Sequence, residues 1–197
     1  MKFQREVDDI YRLKVPFMSV YTSVFLVKTD KRMILIDCAT TDADVEKCIV
    51  PALQEMGLTL FDIQYLCLSH CHSDHAGGKD KILQLNPNIQ IISETQCFLE
   101  EDIEICEMKG HTLDCIGLLD LRTGTLISCD GLQGAGIGKF RCSLESKDEY
   151  LKTLQSIRKD ERIKNILFSH AYEPWYTDGA FGREAVNKCV LDCLNYI

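Results

Sequence analysis

The 197-residue sequence has no apolar run of 18 residues, so no segment reads as a membrane-spanning helix. Its first ten residues, MKFQREVDDI, lack the apolar stretch of a secretory signal, and a cytoplasmic location is expected. Four prolines and twelve glycines are too few for long disordered tracts. Lysines and arginines form no cluster, and the net charge is −8. Such a surface repels phosphate backbones and anionic membranes, so neither nucleic acid nor membrane is expected as a partner. No Cys-x-x-Cys occurs, although there are eleven cysteines. An odd number without an export signal reads as reduced thiols, most of them packed as small apolar side chains.

What is present describes one globular core. Hydrophobic residues make up 46% of the chain and charged ones 26%, and residues 1–197 are expected to form a single domain. Val20–Lys28 and Met33–Asp37 are β-branched and apolar around a polar turn, the pattern of a hairpin. A helix is predicted over Asp42–Met56, divided or kinked at Pro51. Strands are predicted at Ile63–Ser69, Ile89–Ser93, Ile103–Met108, Cys115–Leu121, Thr125–Cys129 and Ile163–Ser169. Further helices are predicted at Ala76–Leu85, Thr95–Glu101, Lys147–Lys159 and Gly182–Tyr196.

The chain also echoes itself. Ile63–His70 (IQYLCLSH) aligns with Ile163–His170 (IKNILFSH), and Met33–Asp37 and Thr125–Asp130 both run apolar into an aspartate. Two similar halves, each a sheet with helices on one outer face, predict a four-layer α/β/β/α sandwich.

The chemical signal is His70-Cys71-His72-Ser73-Asp74-His75, where a buried strand runs into a helix. Histidines at i and i+2 of an extended turn point to the same side, and Asp74 and His75 follow where a second ion would lie. Imidazole with carboxylate suits zinc, manganese or iron. The sequence holds five histidines, and the other two, His111 and His170, also fall at a turn or strand end, as does Asp130. All seven side chains are therefore placed to gather at one edge of the sandwich.

With these residues in view, the sequence resembles the metallo-β-lactamase-fold superfamily. SHCHSDHAGG is similar to its H-x-H-x-D-H signature, KGHTLDCIGLLD to its second histidine motif, SCDG to its bridging-aspartate motif and FSHAYEP to its last histidine motif. MILIDCA resembles the aspartate-ending strand that precedes them. The resemblance implies that His70, His72 and His111 hold one metal, Asp74, His75 and His170 a second, and that Asp130 bridges them. It also implies that Asp37 orients a ligand rather than binding metal. Asp130, which many β-lactamases of this fold lack, points to the glyoxalase II, lactonase and phosphodiesterase branches. His72 stands where flavodiiron proteins carry glutamate. The added helical domain usual in glyoxalase II and the RNA-binding appendage of RNase Z-type enzymes are not expected here.

The implied protein is a hydrolase with two divalent metal ions, zinc first and manganese or iron as alternatives. A hydroxide shared by the two metals would attack a small-molecule ester, thioester or lactone, with Asp74 as the catalytic residue that orients it or moves its proton. Phosphodiester hydrolysis, nuclease activity, iron redox chemistry and non-catalytic metal binding remain open. Gly131–Gly138, Arg141, Tyr172, Trp175 and Tyr176 are candidates to shape a substrate pocket, and Cys71 lies between two ligands.

Overall fold

The computed structural model describes residues 1–94, 102–132, 144–172, 176–195 and 197. The chain divides into two compact units, Met1–Ser93 and Glu94–Ile197.

The first unit is a six-stranded sheet in the order β1-β2-β3-β4-β5-β6. Its strands are β1 (Gln4–Val7), β2 (Ile10–Phe17), β3 (Val20–Lys28), β4 (Met33–Ile36), β5 (Tyr65–Cys67) and β6 (Gln90–Ile92). The predicted hairpin is β3–β4, antiparallel with Phe25 opposite Ile36. By contrast β4, β5 and β6 run parallel, so helices connect them. β1 and β2 were not predicted. Arg12 occupies a buried position in β2, its Nε 3.1 Å from Glu6 Oε1 and its guanidinium 4.9 Å from the Phe25 ring centroid. A charged residue at an inward position hides the alternation that marks a strand.

Helix α1 consists of Asp42–Asp44, a π-helical turn at Val45–Ile49, and Val50–Glu55. Thr41 starts it with a capping box: its hydroxyl accepts from Asp44 N–H, and the Asp44 carboxylate accepts from Thr41 N–H. The division expected at Pro51 is the wide turn, in which Val50 N–H bonds Val45 O. Proline brings no N–H and crowds the carbonyl four residues back, so the ladder widens just before it. The predicted helix over Ala76–Leu85 is realised as α3 (Lys79–Leu85), and a separate short helix, α2 (Ser73–Ala76), precedes it and ends at Ala76. Val45, Ile49 and Leu53 of α1 and Ile82 of α3 share an apolar cluster with Leu13, Leu26, Leu35 and Leu66 of the sheet.

The second unit is a five-stranded sheet in the order β11-β10-β9-β8-β7. Its strands are β7 (Ile103–Glu107), β8 (Ile116–Asp120), β9 (Thr125–Cys129), β10 (Asn165–Phe168) and β11 (Gly179–Phe181). Helices α4 (Lys147–Lys159) and α5 (Arg183–Leu194) accompany it. Leu154 and Ile157 of α4 and Val186 and Val190 of α5 cluster with Leu119, Leu126, Ile166 and Phe168. β9 and β10 are parallel, as β4 and β5 are in the first unit. The expected echo is therefore realised: each unit pairs a strand ending at an aspartate with a parallel strand ending at Ser-His. β11, only three residues long, was not predicted, and the helix predicted at Thr95–Glu101 lies outside the described residues. No described helix is long and apolar enough to cross a membrane.

Seven of the nine described cysteines are buried, with Cys106 half-buried and Cys71 exposed. Burial raises the Cys67 thiol far above its ordinary value and pushes Cys115 up to about 12. The thiolate is the reactive form, so both thiols are inert near neutrality. Peptide mapping after iodoacetamide treatment of folded protein at pH 8 is expected to find Cys67 and Cys115 unmodified and Cys71 labelled. Labelling all three at equal rates would contradict these assignments.

Arg183 joins the helices of the second unit. Its guanidinium donates to the carbonyls of Ile157 (3.3 Å), Asp160 (3.0 Å) and Ile163 (3.0 Å), and to that of Arg158 (2.5 Å). These carbonyls terminate α4 and lead into β10, and a cation beside a helix C-terminus also opposes the helix dipole. Arg183→Met keeps most of the stem and is expected to cost about 1–3 kcal/mol in urea unfolding, because the carbonyls lose a charged donor. An unchanged urea midpoint would exclude this role.

Candidate metal centre

In the first unit the site starts at the end of β4. Asp37 N–H still bonds Cys67 O, extending the β4–β5 ladder by one residue. Asp37 then takes φ +62°, and Ala39 takes φ +61°, which turns the chain out of the sheet. The Asp37 side chain, fully buried, becomes a hub. Its Oδ1 accepts Ser69 N–H at 2.7 Å, and its Oδ2 accepts the Ser69 hydroxyl at 2.8 Å and faces His75 Nδ1 at 2.7 Å.

This network assigns the ring protons. The Ser69 hydroxyl has one hydrogen and gives it to Asp37, so it accepts from His70 Nδ1–H across 3.0 Å. His75 likewise donates Nδ1–H to Asp37. Both rings are thereby left with the lone pair on Nε2, the form in which imidazole binds a metal. The His70 ring lies 4.6 Å from that of His72 and 4.2 Å from that of His75, centroid to centroid. His75 Nε2 is 3.3 Å from Asp74 Oδ2.

Two features seat α2. Cys38 N–H and Sγ both donate to His75 O, at 2.7 and 3.1 Å. Gly77 N–H bonds Ala39 O at 3.1 Å, and a Cβ on Gly77 would collide with the backbone carbonyls of Thr40 and Ser73. The glycine after the His-rich motif is therefore required by close backbone approach. The sequence places a glycine there without revealing what it faces.

In the second unit the parallel pair β9–β10 ends at the other donors. Cys129 adopts φ +48° and presents Asp130, while β10 ends at Ser169-His170. His170 Nε2 lies 3.3 Å from Asp130 Oδ1, and His111 Nε2 lies 3.7 Å from Asp130 Oδ2. All three side chains are buried. The Tyr172 ring lies 5.0 Å from that of His170, whereas Tyr176 is exposed. Arg141, Trp175 and residues 133–138 of the glycine-rich loop lie outside the described residues.

The donors fit a divalent ion. Two ligand atoms about 2.1 Å from a tetrahedral ion lie roughly 3.4 Å apart. The 3.3 Å spacings at His75–Asp74 and His170–Asp130 match this, and they exceed the 2.7–2.9 Å of a charge-assisted hydrogen bond. The first unit thus gathers His70, His72, Asp74 and His75, with Asp37 holding His75 directly and His70 through Ser69, and the second gathers His111, Asp130 and His170. Sequence reasoning missed Ser69. Its repetition as Ser-His at 69–70 and 169–170 was the available signal.

Residues 19–104, which include the His70–His75 motif, match the metallo-beta-lactamase superfamily. The chain is 24% identical to a hydroxyacylglutathione hydrolase of Vibrio cholerae, across 70% of this chain and 63% of that protein. It is 27% identical to the beta-lactamase-like protein 2 homolog of Drosophila melanogaster, across 72% of this chain and 56% of that protein. It therefore spans less than two thirds of the length of these curated relatives. Among solved structures it is similar to a metallo-beta-lactamase of Erythrobacter litoralis (TM-score 0.75, 16% identity, 99% of this chain and 96% of that one). A mono-zinc metallo-beta-lactamase of Pseudomonas aeruginosa gives TM-score 0.73 at 14% identity, over 100% of this chain and 96% of that one. The α/β metallo-β-lactamase fold expected from the sequence is borne out.

Asp37→Ala leaves Ser69 and His75 donors buried without their acceptor. It is expected to cost roughly 2–4 kcal/mol and to weaken metal uptake about 10–100-fold, with Asp37→Asn milder because one acceptor oxygen survives. Wild-type affinity in Asp37→Ala, measured by competition against a chromophoric chelator, would rule out the hub.

Proposed function

We propose that this chain, which carries the metallo-β-lactamase fold and matches that superfamily over residues 19–104, is a metal-dependent hydrolase with a dinuclear centre. In this reading the donor set of each unit is half of one site. His70, His72 and His111 hold one divalent ion, Asp74, His75 and His170 hold the other, and Asp130 reaches both. The observation that carries the reading is the Asp37–Ser69 relay, which leaves Nε2 of both His70 and His75 as electron-pair donors. Zinc is the first candidate for this donor chemistry, and manganese and iron are also compatible.

When bound, such ions supply Lewis acidity and lower the pKa of water to about 7. The chain's own residues do the rest. Asp74, at the start of α2, orients the attacking water and accepts its proton, then returns it to the leaving group. Asp37 and Ser69 keep the histidine rings in one tautomer through the cycle. Tyr172, beside His170, offers an apolar face to the substrate.

An ester, thioester or lactone of a small molecule is the proposed substrate class. The relatives named hydroxyacylglutathione hydrolase, whose substrate by that name is an acylated thiol, are the support for thioesters within this class. A net charge of −8 disfavours nucleic acid as a substrate. The buried, protonated thiols suit the reducing cytoplasm.

Elemental analysis of purified protein is expected to find about two divalent ions per chain, removed by EDTA with loss of acyl hydrolysis. His111→Ala is expected to lower turnover roughly 100-fold or more. Turnover of bis-p-nitrophenyl phosphate alone would replace the acyl reading with a phosphodiesterase. No turnover by metal-loaded protein across thioesters, esters, lactones and phosphodiesters would end the hydrolase reading.

A further inference from the structure

We infer that Glu145 is a positioning residue for His111, clamping the turn that presents this ligand. The inference rests on the reading of His111 as a metal ligand and goes beyond it.

The turn at residues 109–114 belongs to no strand or helix, so something else must hold His111 in place. α4 and the two residues before it do so at four points. Thr153 Oγ1 donates to Lys109 O at 2.7 Å. Ser146 N–H donates to Gly110 O at 3.1 Å, and Glu145 N–H donates to His111 O at 3.1 Å. The Glu145 carboxylate then accepts Leu113 N–H at 2.8 Å. Glu145 therefore grips the turn on both sides of Thr112, with its backbone before it and its side chain after it.

Packing closes the remaining freedom. Gly110 has φ +142°, and a Cβ there would lie 2.5 Å from Tyr150 Cβ, so the turn lies flat against α4. Within the turn, Gly110 N–H bonds Thr112 O at 3.1 Å, and Thr112 Oγ1 lies 3.0 Å from Cys115 Sγ. Ser146 caps α4 by accepting Glu149 N–H at 3.3 Å, so the element that holds the turn is itself anchored.

Most of these contacts use backbone atoms or buried side chains that the fold needs in any case. The Glu145 carboxylate differs. It is exposed, and among the described residues its hydrogen bond goes to the ligand turn. Its removal should therefore loosen His111 while sparing the fold. A ligand whose support is lost typically costs 10–100-fold in metal affinity. The low end applies here, because three other contacts to the turn remain.

The test compares wild type with Glu145→Ala, Glu145→Gln and the control Glu149→Ala, a half-buried first-turn acid of α4 whose carboxylate pairs with Lys152, all as the full chain. Metal-free proteins are titrated with Co(II), read by its visible absorption and by competition with a chromophoric chelator, and the apo melting temperatures are measured. Glu145→Ala should bind one Co(II) about 10-fold more weakly with an altered visible band, at an unchanged apo melting temperature. Glu145→Gln, which keeps an acceptor oxygen, and Glu149→Ala should match wild type. Wild-type affinity and spectrum in Glu145→Ala would overturn the clamp while leaving His111 a ligand. Equal weakening in Glu149→Ala, or weakening only in step with a lowered apo melting temperature, would also overturn it. Failure of wild type to take up Co(II) would overturn the metal-site reading itself, and the clamp with it.

Discussion

A buried carboxyl group at the end of β4 sets the terms for everything around it. Asp37 has no solvent to satisfy it, so each of its oxygens must find donors within the fold. It finds Ser69 twice and His75 once. Meeting that requirement ties the end of β4 to the end of β5 and to α2, which lie far apart in sequence. It also decides which nitrogen of two imidazoles carries the proton. One constraint thus serves stability and chemistry together, and the left-handed backbone at Asp37 is the local strain it sustains.

The same construction recurs in the second unit with a different use. There the aspartate-ending strand β9 again runs parallel to a strand ending in Ser-His, and Cys129 takes the left-handed turn one residue before Asp130. Parallel pairing brings the carboxyl ends of two strands to the same edge, where loops leave the sheet and side chains are free to converge. In the first unit the aspartate stands behind the histidines and orients them. In the second it lies 3.3 Å from His170 and 3.7 Å from His111, at ligand spacing. The left-handed residue is the aspartate itself in the first unit and the residue before it in the second.

The short helix α2 and the turn at residues 109–114 carry further donors, and each is held by groups outside it. Cys38 and Gly77 seat the turn that bears Asp74 and His75, and the start of α4 seats the turn that bears His111. Metal ligands held to within a few tenths of an ångström need such support, because a flexible ligand loses affinity to conformational entropy. Four of the buried cysteines, Cys38, Cys67, Cys115 and Cys129, belong to the same economy of space: small and apolar, they fill gaps near the strand ends.

Much of this was legible in the chain itself. The seven donors, the aspartate at the end of β4, the β3–β4 hairpin, α4 at Lys147–Lys159 and the two-half echo all follow from residue type and spacing, which are local properties. β1 and β2 escaped because Arg12 is buried through contacts with Glu6 and Phe25 that no sequence window contains. Ser69 looked like an ordinary strand-end serine, and Glu145 like an ordinary surface acid. Their roles depend on which distant backbone and ring atoms come within 3 Å. Sequence alone therefore determined which groups are available to bind a metal. The tertiary structure decided their tautomers, their spacing and their supports, because hydrogen bonds between residues 32 apart exist only once the chain has folded.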